Sequence, residues 1–172
     1  MKFLQVSFLF CLSFFWFSAY GQTTAPCNPE RFEDPLLEKL IGQWKGRGVI
    51  GVDSVRYVVN ASWELQHQFI LLTLLDAAQP PQYLANVYIG RDCVSERYVV
   101  HWLDNFGGRF SETLGYGTAI GQEIPFRFEY SDGPFINRFI FDSKDNTWRL
   151  FSTTKNGKGE WVTFGDIYLS RT

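Results

Sequence analysis

Histidine is scarce in this chain: His67 and His101 are the only two among 172 residues. That leaves little material for imidazole catalysis or ligation. The C-x-x-C and His/Cys spacings of metal sites are absent. No G-x-S-x-G elbow occurs, and no serine stands at a telling distance from a histidine, so nucleophilic hydrolysis has no motif. Lys and Arg never cluster, and the formal net charge is −2. A mildly acidic chain without a basic patch argues against nucleic acid and anionic membrane as partners. Repeats, low-complexity tracts and a second-domain signal are missing too. One domain is the default for this length.

What is present begins with an apolar run, MKFLQVSFLFCLSFFWFSAYG. One cation, Lys2, precedes it, and Ala19 and Gly21 sit where a signal peptidase reads. Residues 1–21 are expected to be a signal peptide cleaved before Gln22; an uncleaved anchor is the alternative. The mature protein would then be secreted or periplasmic, with no membrane contact of its own. Losing Lys2 moves its formal charge from −2 to −3. Neither Cys11 nor Cys27 follows a lipid-attachment pattern. Cys11 leaves with the peptide, and Cys27 and Cys93 remain in an oxidising compartment. They are expected to form a disulfide, with two free thiols as the alternative.

Residues 22–34 read as a flexible polar arm, and 35–172 as the folded domain. PLLEKLIGQW (35–44) is the one helical stretch: Asp34 stands at the N-cap, Pro35 opens it and Gly42 stops it. Beyond it the chain alternates. In SVRYVVNASWEL, Val55, Tyr57, Val59, Ala61, Trp63 and Leu65 share one face. PFRFEY and FINRFIFD set Phe126, Phe128 and Tyr130, then Phe135, Asn137, Phe139 and Phe141, on one face each. Period two means strands with one buried face. About ten begin near Trp44, Ser54, Gln66, Tyr83, Arg97, Arg109, Gln122, Phe135, Thr147 and Trp161. Short connections predict an antiparallel meander, and closing it into an up-and-down all-β barrel removes the exposed edges. The short helix would cap one end. Aromatic residues make up 18% of the chain, so the interior should be ring-lined.

IGQWKGRG follows the helix directly. Its Gly42, Trp44, Gly46 and Gly48 resemble the G-x-W opening of the calycin (lipocalin-like) barrels, and the longer pattern resembles nitrobindin-type ten-stranded barrels. Tyr98, Trp102 and Asp104, with Arg171 near the end, are similar to a group of bacterial lipocalin-like barrels known only as a domain of unknown function. The resemblance spans roughly residues 35–172. It implies a barrel that holds a small molecule. An arginine ending the last strand can lay its guanidinium on the tryptophan that opens the first. Trp44 and Arg171 are therefore assigned a structural role, sealing one end. Nitrobindin-type barrels bind haem through a histidine close to the C-terminus, and WVTFGDIYLSRT has none. Haem would need His67, His101 or a tyrosine as its axial ligand, and no cofactor is expected.

In RYVVHWLDNFGGRF, Tyr98, Val100, Trp102 and Asp104 share one strand face and His101 lies on the other. His101 and Asp104 therefore form no dyad. Asp104 reads as a turn carboxylate. No catalytic residue is assigned, and the balance falls to a binding protein rather than an enzyme. Its partner would be a small hydrophobic molecule held by Tyr57 and Trp63, by Phe69 and Trp102 on other strands, and by Phe126, Phe128 and Phe139. Asn137 is the polar anchor among these rings. A barrel filled by its own side chains and docking another protein stays open, as does a haem-dependent or cofactor-free enzyme.

Overall fold

The structure is a computed structural model that describes residues 32–92, 94–109 and 113–172. The expected signal peptide, Cys27 and Cys93 lie outside the described residues. Ten strands follow one another: β1 (Gly42–Ile50), β2 (Asp53–Glu64), β3 (Phe69–Asp76), β4 (Leu84–Asp92), β5 (Arg97–Asp104), β6 (Leu114–Gly117), β7 (Glu123–Tyr130), β8 (Gly133–Asp142), β9 (Thr147–Lys155) and β10 (Trp161–Arg171). Each pairs antiparallel with its chain neighbours, and β1 pairs with β10 to close the barrel. Every ladder is long except the two that the short β6 makes with β5 and β7. β6 meets β7 at only two residue pairs, Gly115 with Phe128 and Tyr116 with Arg127.

Alternation assigns the faces. Val59, Ile70, Leu72, Val87, Ile89, Val100, Ile124 and Leu169 point inward and are completely buried. Burying each such side chain is worth about 1.5–3 kcal/mol. The outward positions carry Lys45, Arg47, Arg56, Arg127, Arg138 and Arg149, and Arg149 makes a two-pronged bond to Asp166 at 2.7 and 2.8 Å.

Three expectations need correction. The stretch 35–44 is not an α-helix: a single 3-10 turn, Leu37–Leu40, forms, and β1 already begins at Gly42. The reason lies in its carbonyls. Lys39 O accepts from Trp148 Nε1 and Arg171, Leu40 O from Trp44 Nε1 and Ile41 O from Arg171. Side chains from the barrel thus take the acceptors that end the turn. Strand six also starts at Leu114 rather than Arg109, because Gly107–Arg109 form a second 3-10 turn. β3 starts three residues later than expected: Leu65, Gln66 and His67 all take left-handed φ angles of 49°, 56° and 68° and turn the chain first.

The lower end, where β1 begins, is sealed. Asp34 Oδ1 accepts from the N–H groups of Leu36 and Leu37, at 2.9 and 2.8 Å. Its other oxygen accepts from the Tyr98 hydroxyl. Leu37 and Leu40 are completely buried under this cap. Phe32 sets its ring edge-on to Trp63 at 5.5 Å.

Candidate ligand site at the upper barrel opening

Among the described residues the upper end has no such cap. Two aromatic groups stand there, one on the β2–β5 side and one on the β7–β10 side of the barrel, with Phe106 and Phe164 exposed. On one side the Tyr83 ring sits 5.9 Å from Tyr57 and 5.8 Å from Phe106. Trp102 donates its indole N–H to the Tyr83 oxygen at 3.0 Å, and Tyr83 donates to Asp104 Oδ2 at 3.2 Å. Asp104 Oδ1 accepts from the Phe106 N–H, so this carboxylate also shapes the turn. On the other side Tyr130 and Phe135 meet edge-on at 6.2 Å, and Phe135 meets Phe164 at 5.2 Å. Ile50, Val55, Tyr83, Trp102, Tyr130 and Phe135 are only partly buried, unlike the fully enclosed residues below them.

Asn137 and Ser152 lie side by side beneath the second group, in register on β8 and β9. They are 7% and 6% exposed, so both reach the edge of accessible space. Ser152 Oγ donates to Gly165 O over a long 3.4 Å. Asn137 Oδ1 is buried and has no hydrogen-bond partner among the described residues. Such a group costs about 1–3 kcal/mol, and native interiors keep few of them.

Burial raises the phenol of Tyr57 above its ordinary range, with the Asp76 carboxylate adding to it. Burial does the same for Tyr83, beside Asp104, and for Tyr98, whose hydroxyl is bonded to Asp34. All three stay protonated at physiological pH, and Tyr83 and Tyr98 act as neutral donors to Asp104 and Asp34.

The eight residues assigned to ligand binding do not all meet. Tyr57, Trp102, Phe128 and Asn137 belong to the upper half. Phe126 and Phe139 pack edge-on at 5.2 Å and are completely buried as core. Trp63 belongs to the lower seal: its indole donates to Glu38 at 2.9 Å and stacks on His67 at 3.8 Å. Phe69 faces out. Its neighbour Ile70 takes the inward place, and the Phe69 ring covers Gly90, where a Cβ would lie 2.6 Å from it. FILLTLLD is apolar at nearly every position, so its sequence does not show which set turns inward. Tyr83, Tyr130, Phe135 and Ser152 were not assigned. Three of them carried a legible signal, standing in phase with inward residues; Tyr83 sits in a loop, where no period applies.

A haem held through an interior histidine does not fit these residues. His101 lies on the outer face, edge-on to Phe69 at 6.3 Å, and His67 is stacked at the sealed corner. Two clefts open on the outer wall. One of about 390 Å³ runs along β6 and β7 between Arg97 and Arg127. One of about 280 Å³ is lined by Leu65, Phe69, Tyr88, His101 and Leu103. Both are shallow; the first is walled mostly by exposed side chains and the second by exposed and half-buried ones. Neither holds a buried polar group without a partner, as the upper opening does.

No family model matches the chain, and no curated protein sequence matches it. Solved structures do. The crystal structure of Rv2717c from M. tuberculosis superimposes with a TM-score of 0.56, covering 82% of this chain and 99% of that one, at 16% identity. The likeness is one of fold. It agrees with the closed ten-stranded antiparallel barrel described above.

Proposed function

We propose that this protein is an exported, lipocalin-like barrel that binds a small apolar molecule without covalent chemistry, entering by the upper opening. One observation carries the reading: the two ends of the barrel are unlike. The lower end is closed by the 3-10 turn and by Trp44, Trp148 and Arg171, whose side chains all bond its carbonyls. The upper end presents half-buried aromatic rings around Asn137 and Ser152. Apolar walls with a few convergent polar groups are what small-molecule sites offer. Export rests on the N-terminal apolar run and its small-residue cleavage site. In that setting Cys27 and Cys93 pair, tying the arm to the turn between β4 and β5.

The test is extraction of the purified, naturally exported protein with organic solvent, followed by mass spectrometry and an absorption scan. A colourless protein that releases a defined apolar molecule is expected. A Soret band that vanishes on substituting His67 or His101 would overturn the reading. So would a protein that is empty and takes up no apolar probe.

A further inference from the structure

Asn137 is the one buried side chain of the described residues with an unpartnered oxygen, and it stands in the inward phase of β8 between Phe135 and Phe139. Its cross-strand neighbours are Phe126 and Ser152. Neither supplies Oδ1 with a donor. Phe126 has none, and the Ser152 hydroxyl is turned to Gly165 O. No described residue supplies the missing partner, which points to a donor brought by a bound molecule. Charge narrows its nature. Asp76 and Asp104 stand in the inward phase at the upper ends of β3 and β5, and both are carboxylates. Arg56, Arg138 and Arg149 occupy outward positions on β2, β8 and β9, where Arg138 faces Glu123 at 3.6 Å and Arg149 holds Asp166. Among the described side chains, a carboxylate or phosphate ligand would meet an acceptor and two acids with no cation at an inward strand position to offset them, since Lys155 is exposed and lies over the Trp161 ring. An ammonium group would lose its hydration beside a neutral amide, and the carboxylates of Asp76 and Asp104 are part-exposed and already accept from Ala78, Gln82, Tyr83 and Phe106.

We infer that the ligand carries a neutral hydrogen-bond donor, a hydroxyl or an N–H on an apolar body, and that this donor is bound by Asn137 Oδ1. The inference rests on the interior-binding reading above and deepens it to a ligand class. Phe128, Phe135 and Tyr130 hold the apolar body, while Asn137 selects its head group. A site built to accept a hydrogen bond rejects an analogue that lacks the donor, because its buried oxygen is then left bare.

The test is calorimetric titration of the protein with three matched probes: naphthol, methoxynaphthalene and naphthoate. Naphthol is expected to bind about tenfold more tightly than its methyl ether, which keeps the ring and the oxygen but loses the donor. Naphthoate is expected to bind most weakly. In Asn137→Leu the ratio of naphthol to methoxynaphthalene should fall to about one. A melting curve checks that the variant is folded, and Asn137→Ala carries the same comparison if it is not. Equal binding of naphthol and its ether by the unaltered protein overturns the inference. So does a preference that survives in both variants, or naphthoate as the tightest ligand. If none of the three probes binds the unaltered protein, the interior-binding reading itself falls and the inference falls with it.

Discussion

The guanidinium of Arg171 lies 3.8 Å over the indole ring of Trp44. The two are cross-strand partners where β1 meets β10, so this contact closes the barrel as well as its lower end. Arg171 also donates to Ile41 O at 2.7 Å and Lys39 O at 3.0 Å. Arg171→Ala removes the stacked cation, takes the donor from Ile41 O and leaves Lys39 O with the Trp148 indole alone. A loss of about 2 kcal/mol is expected in urea unfolding. Arg171→Lys keeps the charge but not the planar fork, and should recover less than half of it. No effect in either variant would show that the last strand is held by its ladder alone.

Gly46 and Gly48 form a matched pair along β1. A Cβ at Gly48 would drive into the Asp166 carbonyl and lie 2.7 Å from Ile167 Cα, both backbone atoms of β10. At Gly46 it would meet side-chain atoms of Leu169 and Tyr57 at 3.2 Å. Side chains give way more readily than a paired strand. Gly48→Ala should therefore cost about 3 kcal/mol or abolish folding, and Gly46→Ala about 1 kcal/mol. Thermal melting of the two variants side by side decides the order.

Stability should fall in alkali. Burial is the main cause that raises the phenols of Tyr57, Tyr83 and Tyr98 above their ordinary value of 10.0. A raised value means that folding favours the protonated phenol. The contribution is complete below pH 10.0 and is lost as the pH climbs through the higher folded-state values. The urea midpoint should thus be level between neutrality and about pH 9 and decline above 10. Tyr83→Phe with Tyr98→Phe should flatten that decline while lowering stability at neutral pH. A slope unchanged in the double variant would sink the assignment.

Phe135 and Phe69 should separate in binding. Phe135 stands at the upper opening, whereas Phe69 covers Gly90 on the outer wall. Phe135→Ala should weaken naphthol binding by about fivefold, the scale of one aromatic contact. Phe69→Ala should leave it unchanged. The reverse result would place the site in the outer groove beside His101.

Much of the upper site was legible before any coordinates. Asn137 interrupts a run of phenylalanines at an inward phase, and Trp102 and Asp104 share a face that excludes His101. These are statements about neighbours two residues apart, and the pleat of a strand obeys them wherever the strand ends up. Phe69 escaped the same logic because its strand is apolar on both faces. The 3-10 turn escaped it as well. Its helical pattern is genuine, yet Trp44, Trp148 and Arg171 claim its carbonyls from far along the chain.

By itself the sequence determined that the chain alternates into about ten strands, that short turns make them a meander, and which faces carry the rings. Each of those is local, written within a few residues. Only the tertiary structure decided which end of the barrel is shut. That depends on Arg171 reaching Ile41 across 130 residues of sequence. It also decided that Trp63 belongs to the seal, that Phe69 faces out, and that Asn137 Oδ1 lacks a donor. A missing partner is a property of everything packed around an atom, and no stretch of sequence around residue 137 specifies it.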